Sequence, residues 1–275
     1  MKQAEPLTVI EPSRGRAAIN WRELMHYRDL FYFLIRRDVT IRYKQAVFGA
    51  LWAILQPTLY MLVFSLFFGR LARIPSDGAP YPIFLYAGLL PWMLFSSSVG
   101  QSANSVVGSS NLITKVYFPR LIIPLASVGA ALVDFIVASC VLFALMAWYG
   151  ITPGVRLLWL PLLVAGTMMT ALGIGMLVAS LNVAYRDFRY VVPFMIQLWL
   201  FLTPVIYPVS LVPPRWQWLL LLNPMTGLID AYRAAVLGGQ VPLVALAVSL
   251  CLGVTAFVVG AFYFRSTERT FADVV

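Results

Sequence analysis

Six stretches of this chain, 46–69, 83–108, 121–149, 155–182, 190–206 and 241–264, hold only two charged residues among them, Asp134 and Arg156. A water-facing surface needs charge, so the solvent of these stretches is lipid. A bilayer core about 30 Å thick is crossed by a helix of roughly 20 apolar residues, and the runs have that size. In lipid every backbone N–H and C=O must find a partner within the protein, which leaves helices as the natural form for such runs. The sequence therefore predicts an all-α integral membrane protein with six transmembrane helices. Composition agrees. Charged residues make up 11% of the 275 positions, against roughly 25% in soluble globular proteins, and the mean hydropathy is +0.83.

The net charge of +9 would point to nucleic acid in a soluble protein. Here the basic residues flank the apolar runs, so the charge reads as membrane topology and no nucleic-acid partner is expected. The first 45 residues carry charge throughout and lack the compact apolar core and cleavage site of a signal peptide. With the N-terminus inside, six spans put the C-terminus inside too. Fifteen of the 20 Lys and Arg then fall on the inner side and five on the outer. That is the bias expected of cytoplasmic loops. The chain divides into a cytoplasmic segment 1–45, a membrane domain 46–264 and a cytoplasmic tail 265–275.

Before the first span, 20–37 reads as an amphipathic helix. Asn20 stands at the cap and Glu23 three residues on, the capping-box spacing. Such a basic helix lies in the membrane interface, or serves as a plain basic anchor. Between the fifth and sixth spans, 207–240 is apolar but broken by Pro208, Pro213, Pro214 and Pro224. Each half is too short to cross, which favours a re-entrant helical hairpin beside a pore mouth. Segment 109–120 joins spans two and three on the inner side. Ser109 or Ser110 can cap a short helix there, with Leu112, Ile113 and Val116 on one apolar face.

Catalytic chemistry has little to work with. Cys140 and Cys251 lie within apolar runs, where buried free thiols are expected, and His26 is the only histidine. No Gly-x-x-x-x-Gly-Lys-Ser/Thr loop is present to cradle ATP phosphates. Asp134 is the one acidic residue deep inside a span. An ionisable group there is costly and marks a site by default. It serves either a helix–helix contact or the lining of a path. The turn Arg186-Asp187-Phe188-Arg189 between spans four and five can pair its own charges or let Asp187 cap the next helix.

The order of short motifs resembles one family. Arg36-Arg37-Asp38 and Arg42-Tyr43-Lys44 are followed by Gly49-Ala50-Leu51-Trp52 and Gln56-Pro57. Then come Gly88-Leu89-Leu90-Pro91-Trp92 and Lys115-Val116-Tyr117-Phe118-Pro119-Arg120. The Arg-Asp turn, Thr203-Pro204-Val205-Ile206-Tyr207-Pro208 and Leu222-Asn223-Pro224-Met225-Thr226 complete the series. Together they resemble the permease subunit of ABC type-2 polysaccharide exporters, the class that exports O-antigen and teichoic acid precursors. The resemblance implies a homodimer in the bacterial inner membrane, with two copies of a separate ATP-binding subunit that supply ATP, magnesium and hydrolysis. This chain would hold no cofactor and perform no covalent step.

The resemblance also implies that 109–120 and the N-terminal helix meet the ATPase. Arg36, Arg37, Ser109, Leu112, Lys115, Val116, Arg120, Arg186 and Asp187 are the coupling candidates. The cargo implied is a lipid-linked polysaccharide. Sugars present weakly apolar C–H faces that aromatic rings can stack against. Tyr60, Phe64, Trp92, Phe95, Trp199, Phe201 and Tyr207 are the candidates for such a channel. The alternatives are an exporter of another substrate (teichoic acid, capsule or drug) and an integral-membrane glycosyl or acyl transferase. The transferase would need acidic groups gathered at one face, and Asp77 and Asp230 are poor material for that.

Overall fold

Helices alone satisfy the backbone of these apolar runs from within, and every regular element among the described residues is helical. The computed structural model describes residues 25–44, 49–268 and 271. Helix α1 spans Arg28–Lys44, α2 Leu51–Phe64 and α3 Tyr81–Gly108. A short α4, Ser110–Lys115, precedes α5, Ile122–Trp148. Then follow α6 Leu160–Ala184, α7 Phe188–Leu202, α8 Pro214–Leu221, α9 Thr226–Leu237 and α10 Leu243–Thr267.

Among the described residues five helical runs are long and apolar enough to cross a membrane: Leu51–Leu71, Tyr81–Gly108, Ile122–Trp148, Val155–Ala184 and Leu243–Thr267. The first continues α2 through a π-helical segment, Ser65–Leu71, and the fourth opens with a 3-10 turn, Val155–Trp159. The expected fifth span is the exception. Its helix α7 has 15 residues, about 22 Å at 1.5 Å per residue. The helix stops at Leu202 because the chain turns extended at Thr203, just before Pro204. It is nonetheless strung along the bundle. It begins beside the end of α6, and the non-helical residues after it reach the start of α3, where Tyr81 Oη donates to the Ile206 carbonyl at 2.8 Å.

The core is built around α3. Of its most apolar stretch 78% is buried, against 11% for α2. Helix α3 packs on α5 and α6, and α10 lies across α6. That last crossing depends on glycine. A Cβ on Gly260 would sit 2.0 Å from the Gly173 carbonyl oxygen, and one on Gly173 would sit 2.4 Å from the Phe257 nitrogen. Small residues of this kind let membrane helices approach at backbone distance.

The predicted break in 207–240 is present as two short helices, α8 and α9, joined through 222–225. Helix α9 is buried between α3, α6 and α10, whereas α8 has no buried residue. The N-terminal helix departs from expectation. Its proposed cap at Asn20 lies outside the described residues, and the helix continues to Lys44 rather than ending at 37. It also does not stand apart from the bundle. Leu34 is 1% exposed, and Ile35 reaches the backbone of α5 at Gly129. Both cysteines are exposed rather than buried. Each lies on an apolar helix face that no other described part of the chain covers, so an apolar run did not imply a protein interior.

Candidate functional site

The bundle has two distinct ends, and most sequence-selected residues sort between them. One end gathers α1, α4, the start of α5 and the end of α10. Leu34, Ile113, Phe118, Ile122, Phe264 and Phe271 form a common apolar cluster there. The coupling candidates lie at this end. Ile113 is buried in the cluster and anchors α4, Leu112 is half-buried, and Val116 is 50% exposed. Lys115, Arg36, Arg186 and Asp187 are exposed. Arg37 is half-buried and pairs with Asp38 at 2.8 Å. Ser109 stands at the cap position of α4, but its hydroxyl makes no capping bond; its carbonyl accepts from the Leu112 and Ile113 amides. Asp187 likewise precedes α7 without capping it by its side chain, and no ion pair ties it to Arg186 or Arg189. One Arg120 nitrogen, Nη1, is buried without a hydrogen-bond partner.

The opposite end is organised by Arg233, on α9. Its guanidinium is buried and donates to the carbonyls of Pro204 at 2.6 Å, Tyr207 at 3.4 Å and Phe84 at 3.3 Å, and to that of Val205. It also lies 3.8 Å from the centre of the Phe84 ring. Residues 203–208 are not helical; the Thr203 and Pro208 carbonyls accept from the Val205 and Leu211 amides, and those of 204–207 must find side-chain partners. One planar cation with five donors satisfies several of them at once. Asn223 supports the same segment through a 2.8 Å bond to the Thr203 hydroxyl. Asp77 accepts from Ser210 at 2.7 Å, tying the α2–α3 connection to the hairpin. In the sequence Arg233 counts only as one of five outer basic residues. The signal that could have singled it out is its place on a short apolar helix, where a cation needs a partner.

Asp134 has its partners in the same chain. Its carboxylate accepts from the Arg42 guanidinium and from the Tyr43 hydroxyl, and Arg42 also donates to Gln101 Oε1. The end of α1 is thereby fastened to α5 and α3. Burial raises the Tyr43 hydroxyl above its usual pKa, with the neighbouring Arg42 pulling the other way. A cavity of about 370 Å³ opens beside this cluster, bounded by α1, α2, α3 and α5.

The aromatic candidates do not share one environment. Trp92 and Phe95 are 4% and 0% exposed and pack on Trp199, with ring centres 6.5 and 5.1 Å from it. Tyr60 and Phe64 continue into Phe68 as a ladder along α2, each pair 5.7 Å apart. Tyr60 and Phe201 are 42% and 51% exposed. Tyr207 is half-buried at the Arg233 end, its hydroxyl donating to the Phe201 carbonyl at 3.3 Å. Among the described residues no three His, Cys, Asp or Glu side chains gather to hold a metal ion.

A helical bundle with five membrane-length spans among its described residues defines a multi-pass membrane protein. Residues 29–237 match the ABC-2 type transporter family, and the chain belongs to it. Among similar proteins, the O-antigen export system permease protein RfbA of Myxococcus xanthus is 34% identical over 260 residues, 92% of this chain and 97% of that one. A protein of the same name from Klebsiella pneumoniae is 29% identical over 90% of this chain and 95% of its own length. The polysialic acid transport protein KpsM of Escherichia coli is 26% identical over 76% of this chain and 81% of its own.

Proposed function

We propose that this chain is the transmembrane permease of an ATP-driven exporter that carries a lipid-linked, O-antigen-like polysaccharide across the bacterial inner membrane. The observation that carries this reading is coverage. The likeness to an O-antigen export permease extends over 92% of the chain, so it takes in α1, the bundle and the α8–α9 hairpin together. A polysialic acid transporter among the relatives supports a glycan cargo more broadly.

Two copies of the chain work with two ATP-binding subunits, which bring ATP and magnesium. Both termini are cytoplasmic. Helix α7 and its extended continuation make the sixth crossing, and α8 with α9 form a re-entrant hairpin at the outer end. Residues 265–275 flank the membrane domain on the inner side, and α1 enters it, its Arg42 and Tyr43 reaching Asp134. The glycan path lies where α2 and α7 leave aromatic faces uncovered by the rest of the chain, including Tyr60 and Phe201.

Force from the ATPase enters through the end that holds α1 and α4. Ile113 and Leu34 share one apolar cluster, so a push on α4 is transmitted to α1 and to the start of α5. Lys115 is exposed on α4, so reversing its charge leaves the packing untouched. Lys115→Glu is expected to keep normal membrane levels while the permease stops stimulating its ATPase and surface polysaccharide falls. Normal stimulation with normal export would reduce α4 to a connector.

A further inference from the structure

We infer that the cavity between α1, α2, α3 and α5 is a binding subsite for one uncharged sugar ring of the transported glycan, an inference that rests on the function proposed above. The cavity measures about 370 Å³, within the roughly 300–1,000 Å³ typical of small-molecule pockets. It lies within the membrane domain. Asp134 on its wall is 12 residues from the start of α5, about 18 Å along the helix.

The wall has polar capacity that the protein leaves unused. Gln56 and Ser97 face the cavity with no hydrogen-bond partner for their side chains among the described residues. Gln101 spends its oxygen on Arg42 but not its two N–H donors. Polar groups at membrane depth are retained only where a partner or a wet cavity serves them. The same wall carries Pro57, Leu90, Leu94 and Ala131, an apolar surface, and Trp52. Hydroxyl-matching amides and a hydroxyl interleaved with apolar surface suit a ring with a rim of hydroxyls and C–H faces.

Charge decides between a sugar and a phosphate. The cation on the wall, Arg42, is already matched by Asp134, so the lining has no net positive charge to offer a diphosphate. The pair also holds the guanidinium and carboxylate in fixed positions, where each can hydrogen-bond a hydroxyl without an ionic ligand.

The test uses the permease–ATPase complex in lipid nanodiscs. The probe is a short oligosaccharide of the repeat unit released from the host's own surface polysaccharide, and calorimetric titration reads its binding. Gln56→Leu removes an amide that bonds to nothing among the described residues, so folding is spared. Ser97→Ala removes a second polar group on the same wall. Each is expected to weaken binding about tenfold at unchanged thermal stability, and inorganic phosphate is expected not to compete. Wild-type binding in both variants, or displacement by phosphate, overturns the subsite while glycan export by the wild-type complex leaves the functional reading standing. A wild-type complex that exports no glycan removes the functional reading itself.

Discussion

Asp134 and Arg42 are each tolerable inside the membrane domain because the other is there, and their loss should not be symmetrical with their replacement. Removing one leaves the other charged and poorly hydrated; for a buried pair that costs on the order of 3–5 kcal/mol, whereas replacing both by apolar residues is often neutral. With side chains 24% and 32% exposed, the lower edge, about 3 kcal/mol, is expected here. Asp134→Ala should therefore reduce thermal stability in detergent sharply. The double variant Asp134→Leu, Arg42→Met should recover most of it. Equal destabilisation by the single and double variants would show that the two groups do not depend on each other. The aromatic candidates part company on the same reasoning. Trp92 is 4% exposed, and truncating a buried Trp costs about 3–5 kcal/mol. Trp92→Ala should lower the amount of protein in the membrane, whereas half-buried Tyr207→Ala should accumulate normally and export less, with Tyr207→Phe restoring export. Normal accumulation of Trp92→Ala would contradict its role in packing. What the sequence made legible at this scale was need rather than partnership. Asp134 had to have a reason to sit in a span, but nothing local names Arg42, which is 92 residues away.

At the scale of elements, the α6–α10 crossing rests on two glycines in backbone contact. Gly260→Leu would drive a side chain into the Gly173 carbonyl, with no flexible neighbour able to give way. It should abolish folding, seen as loss of the monodisperse detergent-solubilised protein. Gly154→Ala, where nothing lies within 4 Å of the added carbon, should behave as wild type. Tolerance of Leu at 260 would mean that the two helices are not packed as described. Apolar run length located five spans to within a few residues, because length and charge exclusion are local properties. The end of α7 was harder to read, since its run stays apolar through Ile206 while the backbone turns extended at Thr203. The form of 203–208 depends on Arg233, 25 or more residues further on. The length of α1 was misjudged for a similar reason. Its continuation to Lys44 is supported by contacts with α5, which amphipathic spacing within α1 does not report.

For the whole molecule, the sequence carried the membrane class through its missing charge, and the family through the order of motifs that are individually weak. It could not show how the two ends differ, one built on an apolar cluster that links α1 to α4, the other on a buried guanidinium that ties 203–208 to α3. The most direct test is deletion of the chain in its native cell, followed by quantification of surface polysaccharide and of lipid-linked glycan retained inside. Loss from the surface with retention inside is expected, with both reversed by the intact chain only when its ATP-binding partner can hydrolyse ATP. Surface polysaccharide that survives the deletion, or that returns with a hydrolysis-dead partner, would contradict ATP-driven glycan export by this chain.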